Sequence, residues 1–270
     1  MRRTARRLSL AVLSSIALLP SGRGEDPLPA STDLRPLLDG WGLTPRRQGG
    51  RNTCSVFVMT EAFEFALAKA DGRGRRLSVE YLNWAANRAS GEEDDGSFFS
   101  DAWKGFEGHG IAPEEAMPYR PVFVPGSAPS EEARAGALSL LGRGLRFHWI
   151  KEWNPRKGIS GEQLEEVKRT LARGWPVCGG FLWPKRSVWE EGVLRIAPRP
   201  DVRDGHSVLL VGYRDDPARP GGGVVLIRDT AGPGPDGFLT YEYLRTYMND
   251  AAWIDADVPA AAGGRRLRRI

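Results

Sequence analysis

The sequence predicts an α+β fold of two lobes with a cleft between them, and three observations carry that prediction. Helical periodicity dominates up to about residue 118, strand patterns dominate the later half, and a proline- and serine-bearing stretch, MPYRPVFVPGSAPS, marks the crossing. The helical lobe is expected at about 45–120 and the β-rich lobe at about 135–258, within one unit spanning 25–258. A cleft between two such lobes is the default place for a site.

Each element has its own signal. Residues 25–50 are rich in proline and glycine and read as extended chain and turns. From Cys54 onward, Val56, Met59, Phe63, Ala66, Leu67 and Ala70 recur at helical spacing until DGRG ends the run. Glu61 and Glu64 are expected on the polar side of this helix. A second helix follows at LSVEYLNWAANRA, with Ser78 as its cap. GEEDDGSFFS reads as a solvated loop, without the alternating ligands of a calcium loop, and DAWKGFEGHG as a short helix. Past the crossing, GEQLEEVKRTLARG is helical, and PVCGGFLW, HSVLLVGY, VVLIRD and GFLTYEY read as strands.

The two ends stand apart from this unit. A cationic start, MRRTARR, precedes the apolar run LSLAVLSSIALLP, which is too short to span a bilayer comfortably, and small and polar residues follow. Residues 1–24 therefore read as an export signal, and the protein is expected to be secreted or periplasmic, without stable membrane insertion. GGRRLRRI closes a tail, 259–270, expected to be solvated and disordered. Nine of the 38 Lys and Arg lie in these two ends, leaving 29 against 34 Asp and Glu. With no basic stripe left in the core, nucleic acid is an unsuitable partner.

The chemistry starts at Cys54. A helix N-terminus favours negative charge, and a thiolate is the nucleophilic form of cysteine. The competing reading is a small buried hydrophobe. Cys178, in PVCGGFLW, reads as an inert core cysteine; the two cysteines allow at most one bridge, which a nucleophilic Cys54 excludes. Of the three histidines, His109 and His148 read as structural. His206 opens a strand, and a turn-rich segment leads to a second strand ending at Asp229. In a hairpin centred on that loop, residues 206 and 229 share the index sum of 212 and 223, which makes His206 and Asp229 cross-strand neighbours. Thiol, base and third group are the parts of an activated nucleophile. Gln48, on the glycine-rich loop before Cys54, supplies an amide for an oxyanion together with the Cys54 N–H. No metal-ligand cluster and no cofactor motif accompany them.

These pieces, in this order, resemble the papain family of cysteine peptidases: Gln48-Gly49 before Cys54, Phe57, LSVEYL, Gly110-Ile111 leading to Pro118-Tyr119, GHSVLLVGY, and RDTAGPGPDGFLTYEYL. The resemblance covers about residues 33–255, and the 152 residues from Cys54 to His206 are close to the roughly 130–150 of that family. It implies a helical lobe packed on an antiparallel sheet or barrel. It implies also that Gln48 serves as oxyanion donor, Cys54 as nucleophile, His206 as general base and acid, and residue 229 as the partner orienting the imidazole. Gly96 and Ser97 match the stretch whose backbone pairs with an extended peptide. The partner is then a peptide or protein substrate, and the enzyme a monomer.

The departures have consequences. Asp229 stands where asparagine is usual and should raise the imidazole pKa. Ala231 and Ser55 replace tryptophans, which leaves the His206–Asp229 pair wetter. Arg51 replaces a cysteine many relatives use in a disulfide. Between residue 24 and about Thr32 there is no room for the long inhibitory propeptide of many relatives, so little activation is expected. Two rivals stay open: a transglutaminase-like acyltransferase, which uses Cys, His and Asp in the same order, and an inactive peptide-binding module.

Overall fold

A computed structural model describes residues 27–257 apart from residue 235. The expected export signal and basic tail lie outside the described residues. In chain order the elements are β1 (Ser31–Asp33) and α1 (Arg35–Gly40), then the helices α2 (Cys54–Asp71), α3 (Val79–Ser90), α4 (Phe99–His109) and α5 (Glu131–Leu138). After them come β2 (Arg146–Lys151), α6 (Gly161–Ala172), β3 (Val177–Pro184), β4 (Trp189–Glu190), β5 (Val193–Leu194), β6 (Val202–Asp215), β7 (Gly223–Arg228), β8 (Asp236–Thr240), α7 (Tyr241–Tyr247) and β9 (Met248–Asp255). Helices first and strands later is the predicted α+β order.

Helix α2 forms because eighteen residues without an internal glycine or proline carry Phe, Met, Leu and Ala, and Gly72, at φ 71°, ends it in the left-handed conformation. It is buried almost all round from Val56 to Ala68, since it packs against α3 and α4 on one side and β3, β6 and β9 on the other. Phe57, Phe63 and Phe65 are at most 1% exposed, and each such burial contributes about 1.5–3 kcal/mol. This placement overturns one expectation. Glu61 and Glu64 are 4% and 1% exposed, because a helix at the centre of the molecule has no solvent face.

The nine strands among the described residues form one open sheet in the order β2-β9-β3-β6-β7-β8-β5-β4. Strand β1 pairs with the far end of β6, at residues 212–214, past the point where β3 stops. All pairings are antiparallel except β5 with β8. The larger of two apolar clusters among the described residues joins α2 to the sheet across both lobes, and the smaller lies between α3 and α5. Ser78 caps α3 as expected, its hydroxyl accepting from the Tyr81 N–H at 2.9 Å. TYEY, read as strand, is the opening of α7: the Thr240 hydroxyl accepts from the Tyr243 N–H at 3.1 Å and turns the chain into a helix. Helix α5 and strands β2 and β9 lay outside the sequence reading.

No helix among the described residues is long and apolar enough to cross a membrane.

Candidate active site

Cys54 is the first residue of α2, 7% exposed, with its Sγ 3.7 Å from the carbonyl of Gly205, the residue before His206. His206 lies on β6, and its Nε2 is 3.0 Å from Asp229 Oδ1 just past the end of β7. That pairing leaves Nδ1 for the thiol. The predicted proximity of His206 and Asp229 holds, but the hairpin register does not. Leu209 faces Arg228, a bulge separates Leu210 from Gly212, and Asp215 faces Gly223. Asp229 therefore lies level with Val208, and His206 reaches it as a diagonal neighbour on the same face. Strand β6 runs three residues past Gly212, to Asp215, which moves the register by three from the one that symmetry about the loop suggested; the bulge takes one residue back and returns Asp229 to the face of His206.

The electrostatics form a coupled set. Burial, the largest influence on His206, lowers its pKa, yet hydrogen bonds to Asp229 and Cys54 outweigh it and raise the imidazole to about 9. For Cys54, burial raises the thiol, and the hydrogen bond and charge of His206 with the backbone of Ser207 and Ser55 bring it below its ordinary value. Asp229 is held below the usual carboxylate range: burial pushes it up, while His206 and the Ala231 and Gly232 amides pull it down further. Cys178 behaves as predicted: fully buried, unbridged, its pKa pushed far above the ordinary value by burial.

The shielding aromatic comes from an unexpected place. Although Ala231 and Ser55 replace tryptophans, Trp183 on β3 packs edge-on against His206, centroids 4.5 Å apart. The side chains of His206 and Asp229 are 12% and 4% exposed, so the pair is not the wetter one expected. A tryptophan inside a strand pattern carried no sign that it would face the histidine.

Gln48 is clamped at both ends of its amide. Oε1 accepts from the Thr230 hydroxyl at 2.7 Å, and Nε2 donates to the Arg51 carbonyl at 2.7 Å. Tyr119 fixes the same loop, donating to the Gln48 carbonyl at 2.8 Å and sharing a hydrogen bond with Thr53 at 2.7 Å. Gln48, Cys54, His206 and Asp229 line one cavity of about 290 Å³.

Arg51 occupies the position where a disulfide was absent. It is 4% exposed and joined to Glu80 at 2.5 Å, Asp95 at 2.8 Å and the Arg120 carbonyl at 2.8 Å. Its guanidinium also lies 4.6 Å from the Tyr119 ring centroid. The acidic loop around Asp95 is thus tied down rather than merely solvated. Gly96, at φ 115°, has no room for a Cβ, which would fall 2.4 Å from the Asn52 carbonyl oxygen. Its N–H donates to Asn83 at 2.9 Å, and the Ser97 N–H donates to the Ser55 hydroxyl at 3.3 Å. Gly96 and Ser97 face a second cavity that reaches Cys54 and His206. His109 and His148 stand apart, against Trp84 and Trp253.

The architecture can now be set beside solved structures. Xylellain, a cysteine protease from Xylella fastidiosa, superposes with a TM-score of 0.65 at 21% identity over 86% of this chain and 87% of its own. The digestive procathepsin L 3 of Tenebrio molitor gives 0.59 at 18% identity over 88% and 73%. The clostridial cysteine protease Cwp84 gives 0.61 at 18% over 84% and 58%. The fold is papain-like. At these identities the likeness speaks for the papain-like architecture alone, and the chemistry rests on the residues above. The chain matches no family model and no curated protein sequence.

Proposed function

We propose that the protein is a cysteine peptidase that hydrolyses peptide bonds through a thioester on Cys54. The observation that carries this reading is the His206 to Asp229 contact of 3.0 Å beside a thiol at a helix N-terminus, with the imidazole raised to about 9 and the thiol lowered. These opposite shifts favour thiolate and imidazolium in the resting pair.

In this mechanism the Cys54 sulfur attacks the scissile carbonyl carbon, and the carbonyl oxygen takes the negative charge. The second N–H of the Gln48 amide and the Cys54 backbone N–H stabilise it. As the C–N bond breaks, His206 gives its proton to the leaving amine. Water then enters; His206 takes one of its protons, the hydroxyl oxygen attacks the thioester carbon, and the C–S bond breaks to release the acid and restore the Cys54 thiolate beside the His206 imidazolium. Asp229 holds the ring with Nδ1 toward sulfur throughout. Gly96 and Ser97 present backbone for an extended peptide. The same reading includes export by residues 1–24 and action as a monomer outside the cytoplasm.

Incubation under reducing conditions with a mixed unstructured peptide library, read by mass spectrometry beside Cys54→Ala, tests the proposal. Cut sites that vanish in the variant are the expected result. Amide products formed only with an added amine indicate an acyltransferase instead, and an unreactive Cys54 with no product indicates a binding module.

A further inference from the structure

The mechanism above needs two N–H groups held on one developing oxyanion, the Gln48 amide and the Cys54 backbone, each about 2.7–3.1 Å from it. The chain between them does not hold itself in place. Gly49, at φ 65°, and Gly50 follow Gln48, and nothing lies within 4 Å of where their Cβ atoms would sit. On the β-rich side Gln48 is anchored to Thr230, through its own N–H at 3.2 Å and its side chain at 2.7 Å. Toward α2 the link is a phenol. Tyr119 Oη donates to the Gln48 carbonyl at 2.8 Å, so in its other contact, 2.7 Å from Thr53 Oγ1, Thr53 is the donor. The Cys54 N–H belongs to the Thr53 peptide. One oxygen thus joins the residue that carries one donor to the residue whose peptide carries the other.

We propose that Tyr119 is a positioning residue for the oxyanion hole, its hydroxyl setting the separation of the Gln48 amide and the Cys54 N–H through the chain Thr53, Tyr119, Gln48. The proposal rests on the peptidase reading above.

Thr53 is diverted to this chain from an ordinary task. Helices α3, α5, α6 and α7 each open on a Ser or Thr in extended conformation whose hydroxyl accepts from the N–H three residues on. Thr53 opens α2 at φ −94° and ψ 16° with no such bond. Its buried hydroxyl reaches Tyr119 instead, and the first-turn amides of α2 are left without a side-chain cap. Those amides carry the partial positive charge that a thiolate or an oxyanion uses.

The ring is held on several sides. The Arg51 guanidinium covers its face, Phe57 of the first turn of α2 meets it edge-on with centroids 4.8 Å apart, and the Tyr119 N–H donates to the Glu114 carboxylate at 2.9 Å. Burial pushes the phenol above its ordinary value, so it keeps its proton and remains a donor where the enzyme works. Neither Tyr119 nor Thr53 lines the cavities beside Cys54, so their hydroxyls take no part in holding a bound peptide. Their loss should therefore show in kcat and spare KM.

The test compares Tyr119→Phe, Thr53→Val, the double variant and Thr53→Ser on one fluorogenic peptide amide. Each of the first two should lower kcat about 10- to 100-fold with KM within about twofold, since a misplacement of about 1 Å can cost 10²-fold. The double variant should fall no further than the worse single one, because both break the same chain, and Thr53→Ser, which keeps the hydroxyl, should stay near the unaltered kcat. Alkylation of Cys54 by a small alkyl iodide creates no oxyanion, and its rate should stay within about twofold of the unaltered protein in all four. An unchanged kcat in folded Tyr119→Phe overturns the proposal and leaves the peptidase standing. So does an alkylation rate that falls in step with kcat, which makes Tyr119 a general support of the Cys54 region. No cleavage by the unaltered protein, with a Cys54 that alkylates no faster than an ordinary thiol, overturns both.

Discussion

Trp183 closes over His206 edge to face, ring centroids 4.5 Å apart at an interplanar angle of 66°. The indole is fixed in turn by its Nε1, which donates to the Ser187 hydroxyl at 3.1 Å. The His206–Asp229 hydrogen bond is therefore screened from water by a strand neighbour rather than by the loop that follows Asp229. Trp183→Ala should lower kcat about tenfold or more by admitting water that competes for Asp229, while KM changes less. Steady-state kinetics beside a thermal melt checks this; an unchanged kcat in a folded variant removes Trp183 from the site.

The opposite shifts of Cys54 and His206 predict a pH profile. Alkylation of Cys54 should rise through a midpoint below the ordinary thiol value, and hydrolysis should fall as pH passes about 9, where the imidazolium is lost. Asp229→Asn removes the charge that helps hold His206 high, so its alkaline limb should move to lower pH. The linkage has the same sign. A histidine raised above its ordinary value of about 6.5 contributes stability in full below that value and loses it as pH rises through the folded value. Equal alkaline limbs in Asp229→Asn and the unaltered protein contradict the assignment.

Arg51 joins the Cys54 loop to the Gly96 loop through Glu80 and Asp95. Its removal leaves two carboxylates, 4% and 14% exposed, without their cation. Arg51→Met should cost about 3–5 kcal/mol in urea denaturation, the range for breaking one partner out of a buried pair. A loss below about 1 kcal/mol would show the cluster to be solvated in solution.

Glu61 is buried two turns along α2 from Cys54, and neither of its carboxyl oxygens has a hydrogen-bond partner among the described residues. Burial raises it to about 7 against the pull of Arg46. Between the ordinary carboxyl value of about 4.3 and that raised value the folded state holds more protons than the unfolded one, so stability falls as pH rises across this window and levels above it. The drop is on the order of 3 kcal/mol. In Glu61→Gln this part of the slope should vanish, as denaturation at pH 5 and pH 8 would reveal; identical slopes reject the attribution.

The Ser97 N–H is occupied by the Ser55 hydroxyl at 3.3 Å. If Ser97 pairs with an extended peptide, that bond must be exchanged, and Ser55→Ala should raise kcat/KM by about 3- to 10-fold. Kinetics on one long peptide decides it, and a fall in kcat/KM assigns Ser55 a different role.

Much of this was legible in the sequence because it depends on local pattern. Helix α2 announced itself by periodicity, α3 by its Ser78 cap, and the fold class by the order of helices and strands. Gln48, Cys54, His206 and Asp229 could be singled out because each is a chemically distinctive residue at a boundary between elements. What escaped was set by tertiary placement. Glu61 looks like a surface glutamate until α2 is known to be covered on both sides, and Trp183 looks like an ordinary strand residue until β3 and β6 are paired. The true end of β6 hid in a smooth strand pattern that runs on to Asp215, so the pairing partner of His206 was misplaced, while the bulge between Leu210 and Gly212 kept its face right.

A covalent acyl group on Cys54 is directly visible by intact-mass spectrometry of an acid-quenched reaction with an activated peptide ester. The expected result is a mass increase equal to the acyl portion, mapped to Cys54, absent in Cys54→Ala and lost with time in water. Turnover without an adduct, persisting in Cys54→Ala, would contradict it.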